Sequence, residues 1–241
     1  MPTTWVFHIA GSSGQRKSND RDQRSRLCGI CGKHRYRLSS RSAWFICVTA
    51  STDHFLEFRG AHGEGWRVAF QRVQGCFTHT ISLIVGDSRI PLLESVRDEG
   101  EDRWPPSPPL AELQFQQQGD GPRAALLVGS DGRGHWSASI LADPASSQLL
   151  LDVACRVKSA PAWLGCTYRL LPGVTPETSN EDVLLLVDGR ECRVHVDRDE
   201  AGKTPTLHVQ QRRLVIIPPA PNAPPPISTR WTYRISWVAT G

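Results

Sequence analysis

The sequence feature that most constrains the fold is an alternation of apolar and polar residues, which recurs from about residue 43 to the end of the chain. In the segment WTYRISWV, Trp231, Tyr233 and Ile235 alternate with polar residues. Because successive side chains of a β-strand point to opposite faces, this period of two predicts strands with one buried face. The same pattern occurs in segments 43–50, 54–60, 65–73, 77–86, 89–95, 111–118, 123–129, 134–142, 148–157, 166–171, 182–188, 191–198, 206–210 and 212–217.

The breaks between these segments carry the residues of tight turns. Examples are GDGP at 119–122, SDGRG at 130–134, ADPASS at 142–147 and DG at 188–189. Glycine accepts the positive φ that a hairpin turn requires, so Asp-Gly between two apolar runs predicts a hairpin in DVLLLVDGRECRVHVD. The pattern allows only short helical turns, near 92–99 and 158–165. We therefore expect an all-β fold, an antiparallel β-sandwich of two packed sheets.

The N-terminal part of the chain differs in charge from the rest. Residues 1–42 contain nine lysines or arginines and two acids, a net charge of +7, whereas the remaining residues have a net charge of −3. High charge with low hydrophobicity predicts a disordered basic leader over 1–42, followed by a single β-sandwich domain over 43–241. The alternative is a leader that binds nucleic acid, and we favour disorder over this alternative.

The apolar segments also bear on location. No apolar run approaches the roughly 20 residues that span a bilayer, and no basic residue precedes the apolar patch in MPTTWVFHIAGSSG, as it does in a signal peptide. We therefore expect a soluble, cytoplasmic protein without a membrane partner. In that reducing compartment, the seven cysteines are expected to be free thiols.

Ten of the 18 prolines lie in two segments, DRWPPSPPL at 102–110 and PPAPNAPPP at 218–226. Proline has a fixed φ and no N–H, so both segments are predicted to be extended and to lie outside the middle of a sheet. The first can bind an SH3 or WW domain when exposed, but the apolar residues on both sides favour a segment that covers a sheet edge. The second is predicted to cross from one sheet to the other before the last strand.

The segments RGHWSASI and LLLDVACRV are expected to pair as an antiparallel hairpin with one apolar and one polar face. The residues of the apolar face are Trp136, Ala138, Ile140, Leu151, Val153 and Cys155. Those of the polar face are His135, Ser137, Ser139, Asp152, Ala154 and Arg156, with His135 opposite Arg156 and Ser139 opposite Asp152. The polar face is a candidate site for a sugar, an anion or a peptide end, because Arg156 can clamp a carboxylate or phosphate. The alternative is a solvated face on which Asp152 and Arg156 make a modest pair.

The polar face fits two functions. An enzyme acting on a sugar or ester would use His135 as its acid or base. Nucleophilic catalysis is not indicated, because the chain has no G-x-S-x-G sequence and Ser137 lies on the same strand as His135. Our first expectation is therefore a non-enzymatic binding or interaction module, with a protein or a small polar or anionic ligand as its partner.

The cysteines allow one metal hypothesis. RLCGICGKH brings Cys28, Cys31 and His34 close together, and many zinc sites begin with C-x-x-C. No second pair follows at a usable spacing, so we expect no cofactor, with zinc at this position as the alternative. The cysteines in strand-like segments, Cys76, Cys155, Cys166 and Cys192, are expected to be small core residues.

The motifs CFTHTISL, PLLESV, DRWPPSPPLAEL, ALLVGSDGRGHWSASI, LLLDVACRV and LGCTYRLL lie between about residues 77 and 171. In pattern, this run resembles a family of uncharacterised bacterial all-β proteins. The resemblance implies an all-β fold and brings no assigned activity with it. Residues 1–42, with their C-x-x-C, lie outside the resemblance, which weakens the hypothesis of a metal site in the β-domain.

Overall fold

The computed structural model describes residues 54–60, 63–97, 106–117, 123–143, 146–179, 182–221 and 224–238. Within these ranges the chain forms fifteen β-strands and no helix. The strands are β1 (His54–Arg59), β2 (Gly65–Val73), β3 (Cys76–Val85), β4 (Ser88–Ser95), β5 (Glu112–Gln117), β6 (Arg123–Ser130), β7 (Gly134–Asp143), β8 (Gln148–Val157), β9 (Cys166–Leu170), β10 (Thr175–Thr178), β11 (Asp182–Val187), β12 (Arg190–Val196), β13 (Thr206–Gln210), β14 (Arg213–Ile217) and β15 (Ile227–Val238).

The strands build two antiparallel sheets. Sheet I has seven strands in the order β1-β2-β3-β4-β9-β14-β13, and sheet II has eight in the order β10-β11-β12-β15-β8-β7-β6-β5. The inward side chains of both sheets form one hydrophobic core, in which Trp66, Tyr168 and Tyr233 are among the largest fully buried residues. The β-sandwich that the alternating pattern predicts is therefore confirmed.

The strand positions follow the predicted segments closely, with one omission. Strand β10 was not predicted, because Thr175–Thr178 is short and contains Pro176. It lies at an edge of sheet II, where a proline without an N–H is tolerated. The helical turns allowed by the sequence are wrong within the described residues, since 92–95 belong to β4 and 158–165 contain no helix. The predicted strand at 43–50 and the leader at 1–42 lie outside the described residues.

The hairpin predicted in DVLLLVDGRECRVHVD is formed by β11 and β12. Val187 pairs with Arg190, which leaves a turn of two residues. Both turn residues have positive φ, 48° at Asp188 and 71° at Gly189. This is the geometry of a type I′ turn, whose twist matches that of the paired strands.

The second proline-rich segment, 218–226, follows β14 and precedes β15. Strand β14 lies in sheet I, whereas β15 lies inside sheet II between β12 and β8. The predicted crossing between the sheets is therefore confirmed. It brings the apolar side of WTYRISWV into the core, with Trp231 2% and Tyr233 1% exposed.

The first proline-rich segment is described from residue 106, and we call residues 106–110 the strap. Ser107 Oγ donates to the carbonyl of Thr167 at 3.0 Å and accepts from its N–H at 3.2 Å. The N–H of Phe77 donates to the carbonyl of Leu110 at 2.6 Å, and the next residue, Ala111, donates to Val128 at 2.9 Å. Thr167 and Phe77 belong to sheet I and Val128 to sheet II. The strap thus bridges the two sheets at one end of the sandwich, instead of covering an edge strand as predicted.

Three of the four cysteines in strand-like segments are core residues as expected: Cys155, Cys166 and Cys192 are buried. Cys76 is only half-buried, because it opens β3 next to the Gln74–Gly75 turn. The expectation of a core position is therefore wrong for Cys76.

Candidate functional site

The hairpin that carries the site predicted from the sequence is formed by β7 and β8, in the expected register. His135 lies opposite Arg156, and Ser139 lies opposite Asp152. The expected core face is also present, because Trp136 and its neighbours on that face pack inward. The sequence pattern therefore placed these side chains on the correct faces of the sheet.

The polar face of this hairpin lies on the outer side of sheet II. His135, Ser137 and Arg156 are exposed, whereas Ser139 and Asp152 are half-buried. The structure thus brings the five candidate residues together on one face of a sheet, as predicted.

Asp152 has a partner that the sequence did not reveal. Nε of Arg230 donates to Oδ1 of Asp152 at 2.8 Å, and Nη2 of Arg230 bonds Oδ2. Arg230 reaches Asp152 from β15, the other neighbour of β8. These hydrogen bonds raise the pKa of Arg230 above its ordinary value. The pair expected between Asp152 and Arg156 is therefore wrong, because the prediction considered only the hairpin and not the third strand beside it.

Substitution of Asp152 by Asn is expected to lower the free energy of unfolding by at most about 1 kcal/mol. The reason is that the Arg230 side chain is 58% exposed, so water screens the pair and can solvate either partner alone. Urea unfolding of Asp152→Asn, Arg230→Gln and the double variant measures the coupling energy. A coupling above about 2 kcal/mol would mean that this pair is far more than an exposed ion pair.

A cavity of about 240 Å³ lies between the sheets at the end bridged by the strap. Strands β3, β4 and β9 contribute to it from sheet I, and β7, β8 and β15 from sheet II. The apolar side chains that line it include Phe77, Leu110, Ala138, Ile140, Leu151 and Val153. This cavity lies on the opposite side of the β7–β8 hairpin from the polar face and was not predicted from the sequence.

Three polar side chains of the cavity wall form a hydrogen-bonded chain. Nε2 of His79 lies 2.9 Å from the Tyr168 hydroxyl, which lies 2.6 Å from the Tyr233 hydroxyl. Cys166 lines the same cavity. The rings of His79 and Tyr168 meet edge to face, with centroids 5.4 Å apart. The chain thus crosses the core from β3 through β9 to β15 and joins the two sheets.

Burial keeps every member of this chain uncharged near neutral pH. It lowers the pKa of His79 from 6.5 to about 4, because the charged imidazolium cannot be solvated there. It raises the pKa of Tyr168 and Tyr233 well above 10 and that of Cys166 to about 12. The polar part of the cavity wall is therefore a set of neutral donors and acceptors.

The charged residues that line the cavity, Arg97, Asp131 and Arg133, are less deeply buried. Arg97 donates to the carbonyl of Val73. Oδ1 of Asp131 accepts the N–H of Arg133 at 3.0 Å and that of Gly134 at 3.1 Å, which closes the β6–β7 turn. Arg97 and Asp131 therefore have structural partners of their own.

A sequence signal for this second site existed but was not used. In CFTHTISLIV, His79 occupies the same strand face as Phe77, Ile81 and Leu83, so a polar ring was placed on an apolar face. Tyr233 likewise shares the buried face of β15 with Trp231 and Ile235. Polar atoms on a core face require partners, and the partners lie on strands distant in sequence.

Within the part of the chain that the structure describes, no group of three or more His, Cys, Asp or Glu residues could hold a metal ion. Cys28, Cys31 and His34 lie outside the described residues, so the zinc site proposed for them stays a prediction. The described residues contain no helix that could span a membrane.

Comparison of the sequence with protein-family models finds no match, and comparison with the curated proteins finds none either. The pattern resemblance between about residues 77 and 171 therefore stays a prediction.

Proposed function

We propose that the protein is a non-enzymatic binding module that holds a small molecule in the cavity between its sheets. The observation that carries the proposal is the composition of the cavity wall. An apolar lining surrounds one hydrogen-bonded polar chain, His79–Tyr168–Tyr233. Small-molecule sites in proteins have this character, with an apolar surface and a few placed polar groups.

The cavity volume limits the size of the ligand. At about 240 Å³ it is smaller than most ligand pockets, which measure about 300–1,000 Å³. A single six-membered ring with a short substituent fits this space, whereas a peptide or an oligosaccharide is too large. The cavity therefore favours a compact organic molecule over the protein partner considered from the sequence.

The outer polar face supports binding less strongly than the cavity does. It is exposed at His135 and Arg156, and Asp152 is occupied by Arg230. Buried surface on a ligand contributes most of the affinity of a small-molecule site, and a sheet face cannot enclose a small molecule. The polar face remains a hypothesis for a larger partner, as does nucleic-acid binding by residues 1–42.

The chemistry of the cavity favours binding over catalysis. A catalytic base works best when its pKa lies near the working pH, and that of His79 is about 4. A nucleophilic thiol needs a lowered pKa, whereas burial raises that of Cys166 to about 12. The groups in the wall are therefore suited to hydrogen bonding with a ligand rather than to proton abstraction or covalent attack.

Toluene is the probe that tests the proposal, because it is a single ring without polar groups. We expect toluene, titrated into the full chain, to shift the NMR methyl signals of Ala138 and Val153, which line the cavity. The methyl signal of Ala154, on the outer face of the same hairpin, should not move. Shifts confined to the Ala154 side would contradict a site between the sheets.

A pair of matched variants tests the same site by filling it. Ala138→Leu places three more carbon atoms in the cavity and is expected to weaken toluene binding at least about tenfold. Ala154→Leu makes the same change on the outer face and is expected to leave the affinity unchanged. Equal affinities for both variants, or no binding of toluene to the unaltered protein, would overturn the proposal.

A further inference from the structure

We infer that the ligand of this cavity is an uncharged, ring-sized molecule with one hydrogen-bonding group, such as a hydroxyl, and that this group binds Nδ1 of His79. The inference rests on the proposed function, because it requires that the cavity is a ligand site. It adds the chemical class of the ligand and the residue that binds the polar group of the ligand.

The hydrogen bonds of His79 leave one atom for a ligand. Its backbone N–H donates to Ser95 Oγ at 2.8 Å, and its Nε2 bonds the Tyr168 hydroxyl. Among the described residues, Nδ1 has no hydrogen-bond partner. Among the side chains that the structure describes, the polar atoms that are sealed from solvent and lack a partner are the indole nitrogens of Trp136 and Trp231, and Nδ1 of His79 is not one of them. His79 is 9% exposed and lines the cavity, so Nδ1 is the polar atom of this ring that a ligand can satisfy.

The tyrosine pair lets Nδ1 act as either donor or acceptor. When Nε2 carries the proton and donates to Tyr168, Tyr168 donates to Tyr233, and Nδ1 is an acceptor. When the hydroxyls point the other way, Tyr168 donates to Nε2, and Nδ1 carries the proton and is a donor. Neutral imidazole has one nitrogen of each kind, and both hydroxyls can rotate. A ligand hydroxyl, which also donates and accepts, fits either arrangement.

The deeply buried part of the cavity wall gives no compensation for a charge on the ligand. His79, Tyr168 and Tyr233 are all neutral near pH 7, so the inner wall holds neither a cation for a carboxylate nor an anion for an amine. Burial of a charge without a partner is far more costly than burial of a hydroxyl that forms a hydrogen bond. The charged side chains that line the cavity, Arg97, Asp131 and Arg133, are less deeply buried than His79, and Arg97 and Asp131 also bond backbone groups. We therefore expect the site to select against both acids and amines.

Four ligands with the same ring test this selection: toluene, benzyl alcohol, benzoate and benzylamine. We expect the full chain at pH 7 to bind benzyl alcohol about three- to tenfold more tightly than toluene, the gain of one net hydrogen bond. Benzoate and benzylamine should bind more weakly than toluene. The dissociation constants come from NMR titration with each compound.

The variant His79→Phe keeps an aromatic ring but removes Nδ1. We expect toluene to bind it about as well as the unaltered protein, whereas the advantage of benzyl alcohol over toluene disappears. His208→Phe is the control, because it makes the same change on edge strand β13, at a residue that does not line the cavity. In this control the advantage of benzyl alcohol should persist.

A direct readout protects the test against a variant that fails to fold. In the unaltered protein, benzyl alcohol but not toluene should shift the ¹⁵N resonance of Nδ1 of His79. If toluene fails to bind at all, the proposed function itself fails. If toluene binds and benzyl alcohol binds no better, or if benzoate binds best, the cavity remains a ligand site and the inference about its ligand is wrong.

Discussion

Acidification from pH 6.5 to pH 4 is expected to lower the free energy of unfolding by about 3 kcal/mol through His79 alone. Burial lowers the pKa of His79 in the folded protein from 6.5 to about 4. Above pH 6.5 the ring is neutral in both states, and it has no effect. Between the two pKa values the unfolded chain binds a proton that the folded protein does not, so stability falls by up to about 1.4 kcal/mol for each pH unit. Below pH 4 the ring is protonated in both states, and its contribution stops changing.

The measurement is urea unfolding of the protein and of His79→Phe at half-unit steps from pH 8 to pH 3.5. Other titrating groups act on both proteins, so the difference between the two curves isolates His79. That difference should be flat above pH 7 and should change by about 3 kcal/mol between pH 6.5 and pH 4. His135→Gln, at an exposed position, is the control and should parallel the unaltered protein. Parallel curves for His79→Phe would mean that the folded protein accepts a proton at this position.

The same titration bears on the ligand. The imidazolium has a proton on both nitrogens, so protonation of His79 removes Nδ1 as an acceptor and places a charge in the cavity. A ligand that donates a hydrogen bond to Nδ1 of neutral His79 stabilises the form without the added proton. Benzyl alcohol should therefore lower the pKa of His79 in the folded protein, and with it the pH below which the contribution of His79 stops changing. This effect links the pH dependence of folding to occupancy of the site.

The strands could be predicted from the sequence because each depends on local information. In β7 and β8, the alternation that puts Trp136 inward and His135 outward follows from the geometry of a strand, and a turn between them fixes the partner. In β11 and β12, Asp188 and Gly189 select the turn type. Neither feature requires knowledge of distant residues, and both predictions are confirmed.

The partners across the sheets could not be predicted in this way. Asp152 and Arg230 are 78 residues apart in sequence, and His79 and Tyr168 are 89 apart. Their contacts depend on which strand lies next to which, and a single sequence does not encode that order in any local pattern. The pattern of one hairpin therefore predicts a polar face but neither the Arg230 that bonds Asp152 nor the cavity behind that hairpin.

The sequence of the strap predicts a structural role, which its hydrogen bonds with the sheets confirm, but it predicts the wrong position in the fold. Its prolines prevent it from joining a sheet, and the apolar residues beside it indicated burial. The hydrogen bonds between Ser107 and Thr167 depend on the position of β9, which pairs with β4 in sheet I, and that pairing is not visible in the local sequence. The strap is thus a wall of the cavity as well as a link between the sheets.

Gly129→Ala is expected to displace this strap and to destabilise the protein by about 1–3 kcal/mol, the usual cost of overpacking. A Cβ at position 129 would lie 1.9 Å from the carbonyl oxygen of Pro109 and 2.9 Å from Cα of Leu110. Both are backbone atoms, so no side-chain rotation relieves the overlap, and the strap must move away from β6. Its hydrogen bond with the N–H of Phe77 is then strained or lost.

Amide hydrogen exchange at Phe77 and Ala111 measures this displacement. The N–H of Phe77 donates to Leu110 of the strap, and the N–H of Ala111, the residue after the strap, donates to Val128. Both should lose protection in Gly129→Ala, together with the drop in stability measured by urea unfolding. Gly60→Ala is the control, since a Cβ there meets only Ser147 Oγ at 3.4 Å and the Glu64 carbonyl at 3.5 Å. Because the strap lines the cavity, toluene should also bind Gly129→Ala more weakly. A stable variant with full protection would show that the strap tolerates the methyl group, whereas lost protection with unchanged toluene affinity would separate the strap from the ligand site.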